Sequence, residues 1–310
     1  MYFRNERLMK FMKTFRKTKF LPVLLILLII AILAVPMMSS AAQATVNLGT
    51  TSTYAVLAGE TITNTGTTVI GGSAGGDVGL YPGSAFTGQG TATISGTVHI
   101  SDAAAIIAKT DLVNAYNDAA GRTPVTIIPV ELGGQTLTPG VYASENGYFQ
   151  ITGTLTLDAQ GDPEGVFIFL TNTTLIAASA STVNNINSAR YCRIFWKVGS
   201  SATLGTNSHF VGHIFALTSI SAQTGANVQG QLLARNGSVT LDNNIINNGV
   251  CETATATPTA TATQTSTTTP LPNTSGVNGT PLSMLLGFGL MVAAAGATLV
   301  FLPKIRRMQK

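Results

Sequence analysis

Charge is what this sequence has least of. Only 10% of its 310 residues are Asp, Glu, Lys or Arg, where a soluble domain usually carries about 25%. Histidine is scarce too, with three in the chain. His209 and His213 are four apart, but in a stretch that reads as strand this is not the helical spacing of a zinc pair. The two cysteines, Cys192 and Cys251, have no base beside them in sequence, which argues against a cysteine nucleophile. Asp77, Asp158, Asp162, Glu164 and Asp242 share no short spacing, so the paired carboxylates of a glycoside hydrolase or lyase are missing. No serine nucleophile elbow or phosphate loop occurs. No basic stripe with interleaved aromatics is present, which excludes a nucleic-acid surface. The chain reads as a non-enzyme without catalytic residues, cofactor or metal.

The charge that exists is concentrated at the ends. Seven Lys/Arg lie between Arg4 and Lys19, ahead of LPVLLILLIIAILAV (Leu21–Val35) and a small-residue stretch ending Ala42-Gln43-Ala44. A basic segment, an apolar run and an A-x-A site describe a secretory signal over 1–44, with the mature chain starting near Thr45. An uncleaved membrane anchor is the alternative. At the other end, residues 252–270 are a Thr/Pro/Ala-rich linker, too poor in apolar bulk for a core. Residues 271–310 hold LPNTS, about 20 apolar residues and four cations, enough for a transmembrane segment with a cytoplasmic tail. Only six of the 17 Lys/Arg remain between the ends, where acids outnumber them. The net charge of +4 therefore reflects targeting.

The order LPNTS, apolar span, basic tail resembles the sortase-type cell-wall sorting signal. That resemblance implies cleavage after Thr274 and transfer to peptidoglycan, with sortase as partner and the membrane holding the chain before processing. Ser275 stands where the motif has Gly. A plain membrane anchor is the other reading, and both leave the protein outside the cell and tethered. In an exported body, Cys192 and Cys251 are expected to pair. The closed loop of about 59 residues would stabilise by roughly 3–4 kcal/mol. Two buried free thiols are the alternative.

Residues 45–251 are long enough for one good core. They read as short strands between Gly, Asn and Asp, for example Thr91–Ile100, Thr152–Ala159 and Gly165–Leu170. One helix is expected after Ser101, stopping at Gly121, with Ser101 as N-cap and Ala103, Ile106, Ile107, Val113, Tyr116 and Ala120 on its apolar face.

A repeat runs through the last third of this body. Ser201-Ala-Thr-Leu-Gly-Thr206 returns as Ser219-Ile-Ser-Ala-Gln-Thr224 and Ser238-Val-Thr-Leu-Asp-Asn243, at offsets of 18 and 19 residues. Alternation puts Ala202/Leu204, Ile220/Ala222 and Val239/Leu241 inside and the Ser/Thr outside. Eighteen residues is about one turn of a three-sided β-helix with parallel stacked coils. Thr203, Ser221 and Thr240 then form one file about 4.8 Å apart, and Thr206, Thr224 and Asn243 a second. The product is a ruled grid of short polar side chains.

LTPGVYASENGYFQITGTLTLDAQGDPEGVFIFL, FWKVGSSATLGTN and LLARNGSVTLDNN resemble the DUF3494 family of microbial ice-binding proteins, across almost all of residues 45–250. The resemblance implies a mostly β fold, a discontinuous right-handed three-sided β-solenoid with one long α-helix alongside. It also implies an ice crystal surface as the ligand, bound on one flat face, in several members through T-A/G-x-T/N. Here the motif stands at Thr65–Thr68 (TGTT) and Thr224–Asn227 (TGAN), is imperfect at Thr206–His209 (TNSH) and degrades at Asn243–Ile246 (NNII). The expected ice-binding residues are Thr65, Thr68, Thr203, Thr206, Ser221, Thr224, Asn227, Thr240 and Asn243, in a monomer. Residues three apart cannot share a face in a straight strand, so a bend is expected at Gly66 and Gly225. A wall-anchored solenoid adhesin for carbohydrate or another surface is the alternative.

Overall fold

A computed structural model describes residues 43–251, and the structural statements below concern these. The apolar run at 21–35, the linker, LPNTS with Thr274 and the apolar stretch near the C-terminus lie outside the described residues. Among the described residues no helix is long and apolar enough to cross a membrane.

The fold is mostly β, with parallel sheets and one helix. The repeat at Ser219 shows the plan. Ile220–Ala222 is a three-residue strand, residues 223–226 turn, and Asn227–Ala234 is a longer strand bent at Gly230, where φ is +148°. Each repeat thus supplies three extended segments, and each segment stacks on its equivalents. The first ladder contains Thr203, Ser221 and Thr240 at one level, and the second His209, Asn227 and Ile245. The third contains Phe215, Leu233 and Leu57.

Leu57 reveals a break in chain order. After Ile245–Asn247 the chain leaves the stack, and the vacant third-ladder place beside Gln231–Ala234 is filled by Tyr54–Ala58. The N-terminal strands up to Val98–Ile100 therefore continue the stack beyond the C-terminal repeat. The next strand in sequence, Thr126–Ile128, begins at the opposite end.

Helix α1, Ala103–Ala120, makes that return journey. Nine strands of the third ladder separate the two ends, about 38 Å at the usual interstrand spacing. The 18 residues of α1 span about 27 Å, and the flanking residues cover the remainder. Asp102, not Ser101, is the N-cap, its carboxylate accepting from the Ala105 N–H at 2.8 Å.

The buried helix face also differs from the expected one. Ala105, Ala108, Leu112, Ala115, Tyr116 and Ala119 pack inward, while Ile106 and Ile107 are 40% and 52% exposed. The strands beneath explain this. They carry the bulk, with Val141, Ile168, Phe195, Phe215 and Leu233 pointing out at the helix, so the helix supplies the small residues. Lys109 is buried in the joint and donates to Ala234 O at 2.7 Å and to Arg235 O. Burial, with Arg235 adding repulsion, pulls its pKa down to about 7.

Inside the stack a second core runs along its length. Tyr142, Phe169, Trp196 and Phe210 form an aromatic column, with Phe169 and Trp196 stacked 3.9 Å apart. The Trp196 indole N–H is satisfied by Val211 O at 3.0 Å.

Candidate functional site

The first ladder is one seven-stranded parallel sheet: Phe149–Ile151, Leu175–Ala177, Ala202–Leu204, Ile220–Ala222, Val239–Asp242, Thr61–Thr65 and Ala85–Thr87. Strand alternation sends Leu175, Ala202, Ile220, Val239 and Ile62 into the core, all essentially inaccessible. The opposite face presents Gln150, Ile176, Thr203, Ser221, Thr240, Thr63 and Thr87 in continuous register. None of the seven is charged, and parallel stacking spaces them about 4.8 Å apart.

Thr203, Ser221 and Thr240 were legible from the repeat. Gln150, Ile176, Thr63 and Thr87 were not, because the intervening loops break the 18-residue interval on both sides. One signal could have exposed part of the extension: TITNT at Thr61–Thr65 alternates threonine with inward residues, as the repeat strands do.

Beside this file lies a row of hydroxyls that ties the rungs together. Thr61 Oγ1 donates to Ser238 Oγ at 2.8 Å. Ser219 Oγ accepts the Ser238 N–H at 3.1 Å, and Ser201 Oγ accepts the Ser219 N–H at 3.3 Å. The serines opening each repeat thus fix the corner and keep the sheet in register.

The corner after the first ladder carries the motif residues. Asn207, Gly225, Asn243 and Gly66 occupy equivalent places and have φ of +55°, +72°, +49° and +73°. Asparagine and glycine are the residues that tolerate this left-handed conformation. They alternate for a steric reason: a Cβ on Gly225 or Gly66 would stand 2.3 Å from the Asn207 or Asn243 side chain on the next rung. The expected bend at Gly66 and Gly225 is present, and Asn207 in TNSH performs the same turn.

This alignment corrects two of the expected site residues. The residues preceding the turn are Thr206, Thr224, Asp242 and Thr65, so Asp242 and not Asn243 belongs to the second file. The offset between the last two repeats changes from 19 in the strand to 18 in the corner, which moves NNII out of frame by one. Asn243 is instead a corner residue, its side chain bound to the Thr67 N–H at 3.0 Å and to Asp242 at 2.8 Å. Asp242 also accepts a hydrogen bond from the Thr224 hydroxyl.

Thr68 is the second correction. Thr67 is an extra residue in that corner, so Val69, not Thr68, aligns with Ile245 and Asn227. Thr68 turns inward, is fully buried, and its hydroxyl accepts from the Asn244 N–H at 3.2 Å. Thr65, Thr206, Thr224 and Asn227 all reach the surface to some degree.

The second ladder is the other sheet face not covered by α1. Its leading outward file is Thr154, Thr182, His209, Asn227, Ile245, Val69 and Thr93. This row mixes an imidazole, an amide and bulky aliphatics, and is less even than the first. His213 lies across the bend at Gly212 from His209 and is buried, so the two imidazoles diverge.

The carboxylates serve turns. Asp77 holds the Thr97 N–H at 2.8 Å, Asp158 the Gln160 N–H at 2.8 Å and Asp162 the Glu164 N–H at 2.9 Å. Glu164 pairs with Arg193. Among the described residues no group of three or more His, Cys, Asp or Glu could hold a metal ion. Cys192 and Cys251 are joined, with Cα atoms 5.6 Å apart.

Residues 56–247 match the profile of a family described as ice-binding-like. The chain is 45% identical over 203 residues to an ice-binding protein of Nostoc sp. (strain HG1), covering 65% of this chain and 73% of that one. An ice-binding protein crystallised from an Antarctic biological consortium shares 40% identity at a TM-score of 0.65, over 67% of this chain and 93% of that one. The crystal structure of the ice-binding protein of Antarctomyces psychrotrophicus shares 37% identity at a TM-score of 0.62, over 66% and 98%.

Proposed function

The chain belongs to the ice-binding-like family, and on that footing we propose that it adsorbs to ice through the first ladder, without a cofactor. The observation that carries this reading is the unbroken register of seven uncharged outward residues on one sheet, five of them consecutive Thr or Ser: Thr203, Ser221, Thr240, Thr63 and Thr87. Rigid hydroxyl and methyl groups at fixed spacing order a water layer that merges with the lattice. A long charged side chain would pay rotamer entropy to be fixed there. On this reading the three ladders are the sides of a discontinuous right-handed three-sided β-solenoid. The site is then Thr203, Ser221 and Thr240, extended by Thr63 and Thr87 and bordered by Thr65, Thr206 and Thr224. The test is purified 45–251 in a nanolitre osmometer. A gap between melting and freezing points, with shaped crystals, is expected; its absence overturns the reading.

Tethering outside the cell completes the proposal. Secretion is supported by the basic and apolar N-terminal segments, and anchoring by the order of LPNTS, apolar span and cationic tail. Deleting Leu271–Ser275 should move the protein from purified peptidoglycan to the membrane or medium. Retention on peptidoglycan after boiling in detergent would rule out sortase attachment at Thr274.

A further inference from the structure

We infer that residues 248–251 act as a strap, fastened by the Cys192–Cys251 bond, that positions the Thr63 and Thr87 rungs on the first ladder. The inference rests on the ice-face reading above. The seven outward residues come from two pieces of chain. Gln150, Ile176, Thr203, Ser221 and Thr240 belong to the piece after α1, and Thr63 and Thr87 to the piece before it. The pieces meet where Thr61–Thr65 pairs with Val239–Asp242, Val69–Gly71 with Ile245–Asn247, and Tyr54–Ala58 with Asn227–Ala234. The covalent route between them runs through α1 to the other end of the stack. The step from Thr240 to Thr63 is therefore held by non-covalent contacts.

Asn248 lies across that joint and is almost fully buried. Its side-chain amide donates to Ser52 O at 2.9 Å and Tyr54 O at 3.4 Å. Its backbone N–H donates to Gly71 O at 2.7 Å, and its carbonyl accepts the Ala74 N–H at 3.0 Å. Gly72 passes so close that a Cβ there would stand 2.0 Å from Asn248 O. Val250 adds a bond from its N–H to Ser73 Oγ at 3.1 Å. The strap thus grips the earlier piece at two separate segments. Its other end belongs to the later piece. Val250 O accepts from the Tyr191 hydroxyl at 2.7 Å, and Cys251 is bonded to Cys192. That turn, Tyr191–Arg193, packs on His209–Ala216 and Asn227–Ala234.

The topology decides which rungs depend on the strap. Ile245–Asn247 is the last strand among the described residues, and a chain end that is not tied down frays. Freed from Cys192, the strap loosens this strand and, with it, the register partner Val69–Gly71. Val69 follows Thr65 by four residues in the same coil, so Thr63 moves as well, and Thr87 pairs with Thr63. Ice touches only rungs that share one plane. Displaced Thr63 and Thr87 drop out of contact, while Thr203, Ser221 and Thr240 keep theirs on consecutive repeats.

The test uses 45–251, a unit that stands alone, since about two thirds of this chain accounts for 93% and 98% of two crystallised relatives. Thr63→Tyr and Thr203→Tyr are each made in the parent and in a Cys192→Ser/Cys251→Ser protein, and hysteresis is read against folded concentration. In the parent both tyrosines should lower hysteresis. Without the disulfide, hysteresis per folded molecule should already be down about twofold. Thr63→Tyr should then add almost nothing, whereas Thr203→Tyr should act as fully as in the parent. A bond that merely stabilises the fold would lower the folded fraction and leave the effects of the two tyrosines unaltered. Should the double variant fail to fold, Asn248→Ser keeps the disulfide, unhooks Ser52 and Tyr54, and should give the same inequality. The inference is overturned if Thr63→Tyr lowers hysteresis in the loosened protein by the same factor as in the parent. A parent without a freezing gap is a different outcome: it removes the ice reading itself, and this inference with it.

Discussion

Ser221→Tyr should abolish most of the thermal hysteresis while leaving the melting temperature almost unchanged. Ser221 is the fourth of the seven outward residues, with Thr203 and Thr240 as its neighbours in register. A phenol there stands above the short side chains around it and lifts the ice plane off several rungs at once. The position is partly exposed on a sheet surface, where substitutions usually move stability by no more than about 0.5 kcal/mol. Asn247→Tyr is the matched control, on the exposed side of the second ladder. If that variant loses activity and Ser221→Tyr retains it, the binding face is the second ladder. The same sheet offers a gain of function. Asp242 puts a carboxylate into the file of Thr206, Thr224 and Thr65 and holds the Thr224 hydroxyl. Asp242→Thr should raise hysteresis at equal concentration, because a charge must shed strongly bound water before ice can approach. Losing its bonds to Thr224 and Asn243, both at the exposed surface, should cost about 1 kcal/mol each. Unchanged or lower hysteresis in a folded Asp242→Thr protein would place ice contact away from this corner.

The distinction between strand and corner also marks what could be read from sequence. Inside strands the period of two is rigid, so Ala202/Leu204 and Val239/Leu241 announced their inward direction and Thr203 and Thr240 their outward one. At the corners, single insertions pass unnoticed in a pattern of small polar residues. Thr67 is one such insertion, and it turned Thr68 from an expected surface residue into a buried one. The shortened corner after Asp242 moved Asn243 one place past the second file and left it exposed. The motif frame is fixed by the left-handed residue, and Asn and Gly both fill that role, so a search for Gly alone loses the Asn207 and Asn243 rungs.

The helix lies where it was expected, and its buried face departs from the expected one for a different reason. Periodicity gives two apolar stripes on Ala103–Ala120, one of isoleucines and one of alanines. Choosing between them depends on the surface to be covered. That surface is already bulky, with Phe195, Phe215 and Leu233 facing out, and this cannot be judged before the strands are paired. Likewise, the stacking of Tyr54–Ala58 beside Gln231–Ala234 joins residues about 175 positions apart, beyond the reach of any local signal.

Acid should destabilise this domain through His213, and by more than any surface group. The imidazole is buried, stacked 5.3 Å from Phe195, and level with Gln231 of the next repeat. Burial lowers its pKa from 6.5 to about 4, outweighing the Gln231 side chain and Cys192 backbone, which favour the charged form. Because the folded value is depressed, the unfolded chain binds the extra proton first as pH falls. The contribution is whole above 6.5 and is lost progressively down to about 4, amounting to roughly 3 kcal/mol. His213→Gln copies the residue that the next repeat uses at this level, so it is a variant with a good prospect of folding. Denaturant unfolding at about pH 7 and about pH 4 should show a smaller difference for His213→Gln than for the parent, by about 2–3 kcal/mol. Equal differences in the two proteins would mean that His213 is not the group being titrated. The central file of the first ladder carries no ionisable side chain, so in Asp242→Thr, which also removes the carboxylate beside it, ice activity per folded molecule should stay level over the same interval. Only the folded fraction should fall, which a measurement of hysteresis against folded concentration separates.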